Sequence, residues 1–274
     1  MLRLETETGW WLVAHADHAR LAGEFAAVWG NTQFRAPEPR VHVLKGIARH
    51  DDGWITRDAA PQITRAGKPS AFSVELVGKY SAFEEIDLAD YLAVRERAVG
   101  LLAEEDAYAA VLVSMHTYNL LTERADRSTI RTEELSLLDA FLARQRALQE
   151  ALTVRIAEDA FLSEEARSMT RVREHFRLLQ ATDNLSLLTC VDFRGPATLL
   201  HPLPLNDGRT AEIAVRSMGE RSFVLNPYPF TQDGLEFQFP ARHVTGKAYA
   251  AAADLQRAYA AAPVERLTVR VSAG

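Results

Sequence analysis

Between Leu88 and Val191 the chain offers four successive stretches, Leu88 to Glu105, Ala107 to Arg124, Thr132 to Asp159 and Ser163 to about Val191, whose apolar residues recur at steps of three and four. That is the spacing of one face of an α-helix, and a stripe held over several turns must bury against neighbouring elements. Leu135, Leu138 and Leu142 mark the stripe in the third stretch, and Phe176, Leu179 and Leu187 mark it in the fourth. A chain committed in this way over so long a run is predicted to be mainly α.

The flanks add to this frame. Leu2 to Glu5 alternates apolar and charged residues and Trp10 to Val13 is a short apolar run, so one or two strands are expected to lead into the first helix. Asp17 to Trp29 reads as that helix, with Leu21, Phe25 and Val28 on one face, Asp17 as a cap and Gly30-Asn31 as a stop. A second runs from Arg40 to Asp51, and Gly53 stands where a left-handed C-terminal cap would fall. Residues 54 to 72, with Pro61, Gly67 and Pro69, form a long irregular segment of the kind that often carries function.

After Asp192 the texture changes. Prolines at 196, 202, 204, 227, 229 and 240 punctuate short alternating runs such as Ala211 to Arg216 and Leu235 to Phe239. One helix over Ala251 to Ala261 and a closing strand over Leu267 to Val271 complete a small β-rich region. The expected division is therefore residues 1–192 as a helical domain with short N-terminal strands, and 193–274 as a β-rich subdomain packed on it. The aromatic run Phe223 to Phe230 is expected either to seal that packing or to form a homodimer contact.

Composition narrows the function classes. One cysteine, Cys190, leaves no disulfide framework and no cysteine-rich zinc site. No apolar run approaches the roughly 20 residues that span a bilayer, and the N-terminus lacks the order of a signal peptide, so a cytoplasmic protein without a membrane partner is expected. The formal charge of −6, with basic residues scattered along helices, makes nucleic acid an unexpected partner. There is no P-loop and no Gly-x-Ser-x-Gly elbow, and Cys190 lies among Leu187, Leu188 and Val191, where burial would raise its thiol pKa.

What remains is a set of candidate metal donors: His18 near the start of the first helix, His50-Asp51 at the end of the second, His116 inside a later helix and Asp183 in the last long one. Imidazole nitrogens and carboxylate oxygens suit zinc, iron and manganese, and magnesium where oxygens dominate. A single helical histidine is more often structural than ligating, and Asp51-Asp52 can serve as a solvated turn. Asp183 is different, because it lies between Leu179 and Leu187 on an apolar stripe, where an ionised carboxylate needs a partner or a cation. His15, three residues before His18, competes with it, and His18 is preferred. His42 and His175 are judged peripheral, and His201 and His243 structural.

The sequence His18, then His50-Asp51 followed by Gly53, then a distant Asp183 resembles the H...HD...D signature of the HD-domain superfamily over residues 10 to 192. More narrowly, the strings WWLVAHADHARLAGEFA, ARHDDGW, LLQATDNLSLL and NPYPF are similar to a bacterial family of uncharacterised proteins over nearly the whole chain. The superfamily resemblance implies an HD-domain-like helical bundle and leaves the small β-rich C-terminal region unexplained; together they give an expected fold that is α+β overall. It implies His18, His50, Asp51 and Asp183 as ligands to a first divalent ion, with His116 added for a second. Asp52 and Trp54 around the glycine depart from the usual enzyme pattern.

Members of that superfamily are metal-dependent phosphohydrolases and phosphodiesterases, with a branch of di-iron oxygenases. The expectation is a zinc, manganese, iron or magnesium centre of one or two ions acting on a small anionic phosphate ester or anhydride. Asp52 or Asp58 would orient water, and Arg57 or Lys68 would face the anion. Trp54 is expected to pack, and Asn119 to hydrogen-bond a ligand or substrate. The alternatives are a di-iron oxygenase and a non-catalytic metal- or ligand-binding protein.

Overall fold

Helices form where the stripes run. They are α1 (His15–Ala27), α2 (Arg40–Arg49), a short α3 (Ile55–Asp58), α4 (Leu88–Glu105), α5 (Ala107–Thr122), α6 (Leu135–Glu158), a one-turn α7 (Glu164–Arg167), α8 (Met169–Cys190) and α9 (Ala252–Ala261). The structure is a computed structural model and describes residues 1–79 and 87–274. Asp106 both ends α4 and starts α5: its extended backbone breaks the helix while its carboxylate accepts from the Ala109 N–H at 3.0 Å. Ser168 divides the stretch expected to be one helix from Ser163, since its hydroxyl accepts from the Arg171 N–H and begins α8 afresh.

The strands are β1 (Leu2–Glu5), β2 (Gly9–Val13), β3 (Ala197–Thr198), β4 (Leu203–Pro204), β5 (Thr210–Ala211), β6 (Ala214–Gly219), β7 (Ser222–Asn226), β8 (Leu235–Thr245) and β9 (Val264–Ala273). Seven of them form one curled mixed sheet in the order β1-β2-β8-β9-β7-β6-β3, and β4-β5 pair separately. Every neighbour pair in the large sheet is antiparallel except β7 with β9.

This sheet overturns the expected mainly α, HD-like bundle with a small β region: the chain is α+β, with the sheet a principal layer. Two physical facts lie behind the difference. β8 and β9 run on well past the short alternating cores visible in sequence, pairing from Leu235 with Val271 to Arg242 with Val264. The N-terminal strands then dock on the far end of β8, with Gly9 opposite Thr245 and Leu12 opposite Arg242. Such long-range pairing has no local signature, because it is chosen by burial once the helices have packed.

β2 is buried on both faces. Trp10 and Leu12 pack with Val244 and with Leu255 of α9, while Val13 joins the main core between sheet and helices. On that inner side Phe25 of α1 lies edge-on to Phe237 of β8, ring centres 4.7 Å apart, and Phe230 covers both. α1 packs in turn on α2 and α8, and α5 closes against α2 and α8. The α1–α2 crossing is tight, since a Cβ at Gly23 would fall 2.6 Å from the Cβ of Ala48. Among the described residues no helix is long and apolar enough to cross a membrane.

Candidate metal centre

α1, the end of α2, α5 and α8 converge on one buried point and bring together His18, His50, Asp51, His116 and Asp183, none more than 6% exposed. His18 is one turn into α1, whose start is fixed from across the fold: Asp58 accepts from the His15 backbone N–H at 2.6 Å. His50 still has helical backbone (φ −59°, ψ −22°), while Asp51 leaves it (φ −115°, ψ 15°), so the adjacent side chains point to one place. Asp183 arrives from the inner face of α8.

Each of two histidines has its outer ring nitrogen engaged. His50 Nδ1 donates to the Ile47 carbonyl at 2.8 Å, an oxygen that can only accept. Ser186 Oγ donates to the Asp183 carbonyl at 2.8 Å and is left to accept from His18 Nδ1 at 2.9 Å. In the neutral rings, therefore, both Nε2 atoms carry lone pairs. His18 Nε2 is 3.0 Å from Asp51 Oδ2, and His50 Nε2 is 3.3 Å from Asp183 Oδ1 and 3.8 Å from Asp51 Oδ2.

Lone pairs facing carboxylate oxygens in a buried space repel unless a proton or a cation lies between them. His50 Nε2 is buried without a hydrogen-bond partner of acceptable geometry. Donors about 2.1 Å from an ion stand ~3.0–3.5 Å from one another, so most of these separations already suit a divalent metal. The outer hydrogen bonds to a carbonyl and a hydroxyl are those that orient ligating histidines.

The electrostatics agree. Burial disfavours a charged His50, but Asp51 and Asp183 outweigh it and hold its pKa up at about 9. Burial works against the Asp51 and Asp183 carboxylates too. Arg95 and His50 nevertheless hold Asp51 well below the usual range, and the approach of His50 at 3.3 Å, with its charge, lowers Asp183. His116 is pushed down to about 3 because burial outweighs the nearby Asp183 carboxylate. A divalent ion and a proton would compete for the same inner nitrogen of His50.

Arg95 is the principal residue not anticipated from sequence. It is 7% exposed, its Nη1 donates to Asp51 Oδ1 at 2.5 Å, its Nε donates to Tyr91 Oη, and its guanidinium lies on the Trp54 ring. Its signal was present in α4, where Leu88, Leu92, Arg95, Val99 and Leu102 follow steps of four and three and place an arginine on the buried stripe. Gly53 explains how it arrives. A Cβ there would fall 2.1 Å from the Val94 carbonyl oxygen, so the glycine serves the close approach of α4 and not the left-handed cap expected from sequence. Gln180 and Ser186, three residues to either side of Asp183, were also missed and contact His116 and His18.

Other candidates stand around the centre, engaged elsewhere. Asp58 accepts from the Met1 amine at 3.0 Å and from His15, whose ring stacks on Trp54 at 4.2 Å. His15 is thereby tied to Asp58 and has its pKa lowered to about 4, by burial and the neighbouring ammonium. Asp52 accepts from Arg49 Nε at 2.8 Å, and Arg57 pairs with Asp90 at 3.5 Å while its guanidinium lies over the Trp54 ring. Lys68 lies over Trp10. Asn119 Oδ1, one turn beyond His116, is buried without a partner. His42 pairs with Asp106, His175 with Tyr108, His243 with Thr6 and His201 with Gln180.

A family model described as a protein of unknown function, DUF3891, matches residues 1–246. The chain belongs to that family. The match takes in all five clustered residues and the strands from β1 to β8, while α9 and β9 lie beyond it. No curated protein and no solved structure matches the chain. The family description carries no activity, and chemistry must be read from the centre itself.

Proposed function

We propose that the chain holds one divalent transition-metal ion through His18, His50, Asp51 and Asp183 and hydrolyses a small phosphate ester or anhydride, as HD-type phosphohydrolases do. The observation that carries the reading is the pair of inner Nε2 atoms, each with its outer nitrogen fixed by an acceptor and each facing a carboxylate. One ion fits the donors better than two. The donors fall into two groups, His18 with His50 and Asp51, and His50 with His116 and Asp183, each with its ligand atoms within 4.8 Å of one another. His50 belongs to both but has one inner lone pair, and Arg95 already occupies Asp51 Oδ1. With the histidines neutral, two carboxylates and one guanidinium leave a net charge of −1, which a single dication reverses to +1, an environment that suits an anion.

A bound ion would supply a water of near-neutral pKa and polarise a phosphoryl oxygen. The chain's own residues do the rest. Arg95 holds Asp51 so that only Oδ2 faces the centre, and Trp54 and Tyr91 hold Arg95. In this reading Arg57, on the Trp54 ring with a quarter of its side chain exposed, would leave Asp90 to meet the anion, and Asp52 would orient water. A di-iron oxygenase would need a second set of donors. A non-catalytic metal protein is the second reading, favoured by the deep burial of all five side chains.

The test is hydrolysis of a panel of phosphate monoesters, diesters and anhydrides by metal-stripped and by zinc-, manganese- or iron-loaded protein. Metal-dependent release of phosphate, lost in Asp183→Asn and with raised KM in Arg57→Ala, is expected. A loaded protein that turns over none of them would move the account to the non-catalytic reading.

A further inference from the structure

Behind His116 runs a hydrogen-bonded chain that the hydrolase reading does not use. Gln180 Nε2 reaches His116 Nδ1 at 3.2 Å, and Gln180 Oε1 is 2.9 Å from His201 Nε2. Gln180 and His116 are buried, at 1% and 2% exposure, and His201 is half-buried at the outer end. His201 has φ +64°, a conformation that residues other than glycine rarely adopt and that the following Pro202 disfavours further. The ring of Phe176 packs beside it, centres 5.8 Å apart. The backbone is thus bent to bring this imidazole onto the Gln180 amide.

The direction of the chain fixes protons. An amide oxygen can only accept, so His201 presents Nε2–H to it. The amide nitrogen can only donate, so His116 Nδ1 accepts, and a neutral His116 carries its proton on Nε2. That is the reverse of His18 and His50, in whose neutral rings Nδ1 is the nitrogen that donates. Since Nδ1 is engaged by Gln180, Nε2 is the nitrogen left to face His50 and Asp183, the two residues with which His116 is grouped.

We propose that Gln180, oriented by His201, is a positioning residue that holds His116 as a hydrogen-bond donor toward a phosphoryl oxygen at the centre, and not as a fifth metal ligand. The inference rests on the hydrolase reading and gives His116 a role within it. Three parts of the fold meet here, since α5 carries His116, α8 carries Gln180, and the segment before β4 carries His201. The arrangement leaves four donors for the ion and one N–H for the substrate.

Long-range proton–nitrogen NMR of the full chain with 15N-labelled histidine, metal-free and loaded with zinc, reads this directly. Expected is a His116 that keeps its proton on Nε2 in both forms, while the Nε2 resonances of His18 and His50 move on loading. A His116 protonated on Nδ1, with an Nε2 resonance that moves with zinc, overturns the inference. Absence of any zinc response at His18 and His50 defeats the metal reading instead, so the two failures are distinct.

Gln180→Glu supplies an independent arm. A carboxylate can only accept, so it draws a proton to His116 Nδ1 and frees the Nε2 lone pair. Zinc affinity is expected to rise about tenfold, the scale on which outer partners act, with His116 now responding to zinc. In His201→Phe the His116 tautomer should become mixed, and in His201→Gln, which keeps an N–H donor, it should return to Nε2–H. Unchanged affinity and an unchanged tautomer in Gln180→Glu would overturn the proposal.

Discussion

Replacing Arg95 by alanine tests how the centre is charged. The side chain is buried, donates to Asp51 Oδ1 at 2.5 Å and spans the Trp54 and Tyr91 rings, so its removal leaves a buried carboxylate without its main partner. Removing one partner of a buried pair costs about 3–5 kcal/mol. With an unfolding entropy of about 2.1 cal/mol/K per residue over 274 residues, that corresponds to a Tm lower by about 5–9 °C in metal-free protein. A dication restores the missing positive charge. Zinc should therefore raise the Tm of Arg95→Ala more than that of the wild type, and bind the variant at least about tenfold more tightly by calorimetric titration, because one repelling charge is gone. Scanning calorimetry with and without zinc reads both effects. A Tm within about 1 °C of wild type, or a gap between the proteins that zinc fails to narrow, would refute the reasoning.

Three further outcomes follow from the packing. Gly53→Ala should destabilise the fold by about 1–3 kcal/mol in urea, since its Cβ collides with the Val94 carbonyl; an unchanged midpoint would contradict the close approach of α4. His175, buried and neutral with its pKa lowered from 6.5 to about 3 by burial and by Arg171 and Arg35, binds fewer protons folded than unfolded between those values. Its contribution is therefore intact above pH 6.5 and lost as pH falls toward 3. His175→Gln should flatten the slope of stability against pH by up to about 1.4 kcal/mol per unit in that window, and equal slopes would sink the assignment. Burial pushes the Cys190 thiol pKa up, so a thiol reagent at about pH 8 should label it only in denaturant; rapid labelling of native protein would show the α8 end to be open.

The sequence revealed elements better than their assembly. The stripes of α4, α5, α6 and α8 are local and were legible to within a few residues, and the break at Ser168 was missed because a single serine cap is a weak interruption. The sheet was not legible as a layer. β1 and β2 were visible as strands, but their pairing with β8 depends on burial chosen across the whole chain. At the centre, the position of Asp183 on an apolar stripe and of His50-Asp51 at a helix end pointed to residues that the fold does gather. Arg95 was overlooked because surface arginines are common, although its place between Leu92 and Val99 on the inner stripe marked it as buried. The tautomers of His18, His50 and His116 depend on Ser186, Ile47 and Gln180, and no spacing rule could have supplied them.

Elemental analysis of the full chain purified without added metal and then reconstituted, beside His50→Ala, tests the central claim most directly. His50 is shared by both possible ligand groups, so its loss should empty the centre. The account predicts about one equivalent of a divalent transition metal in the wild type and less than about a tenth in the variant. No bound metal in reconstituted wild type, or full stoichiometry in His50→Ala, would contradict it.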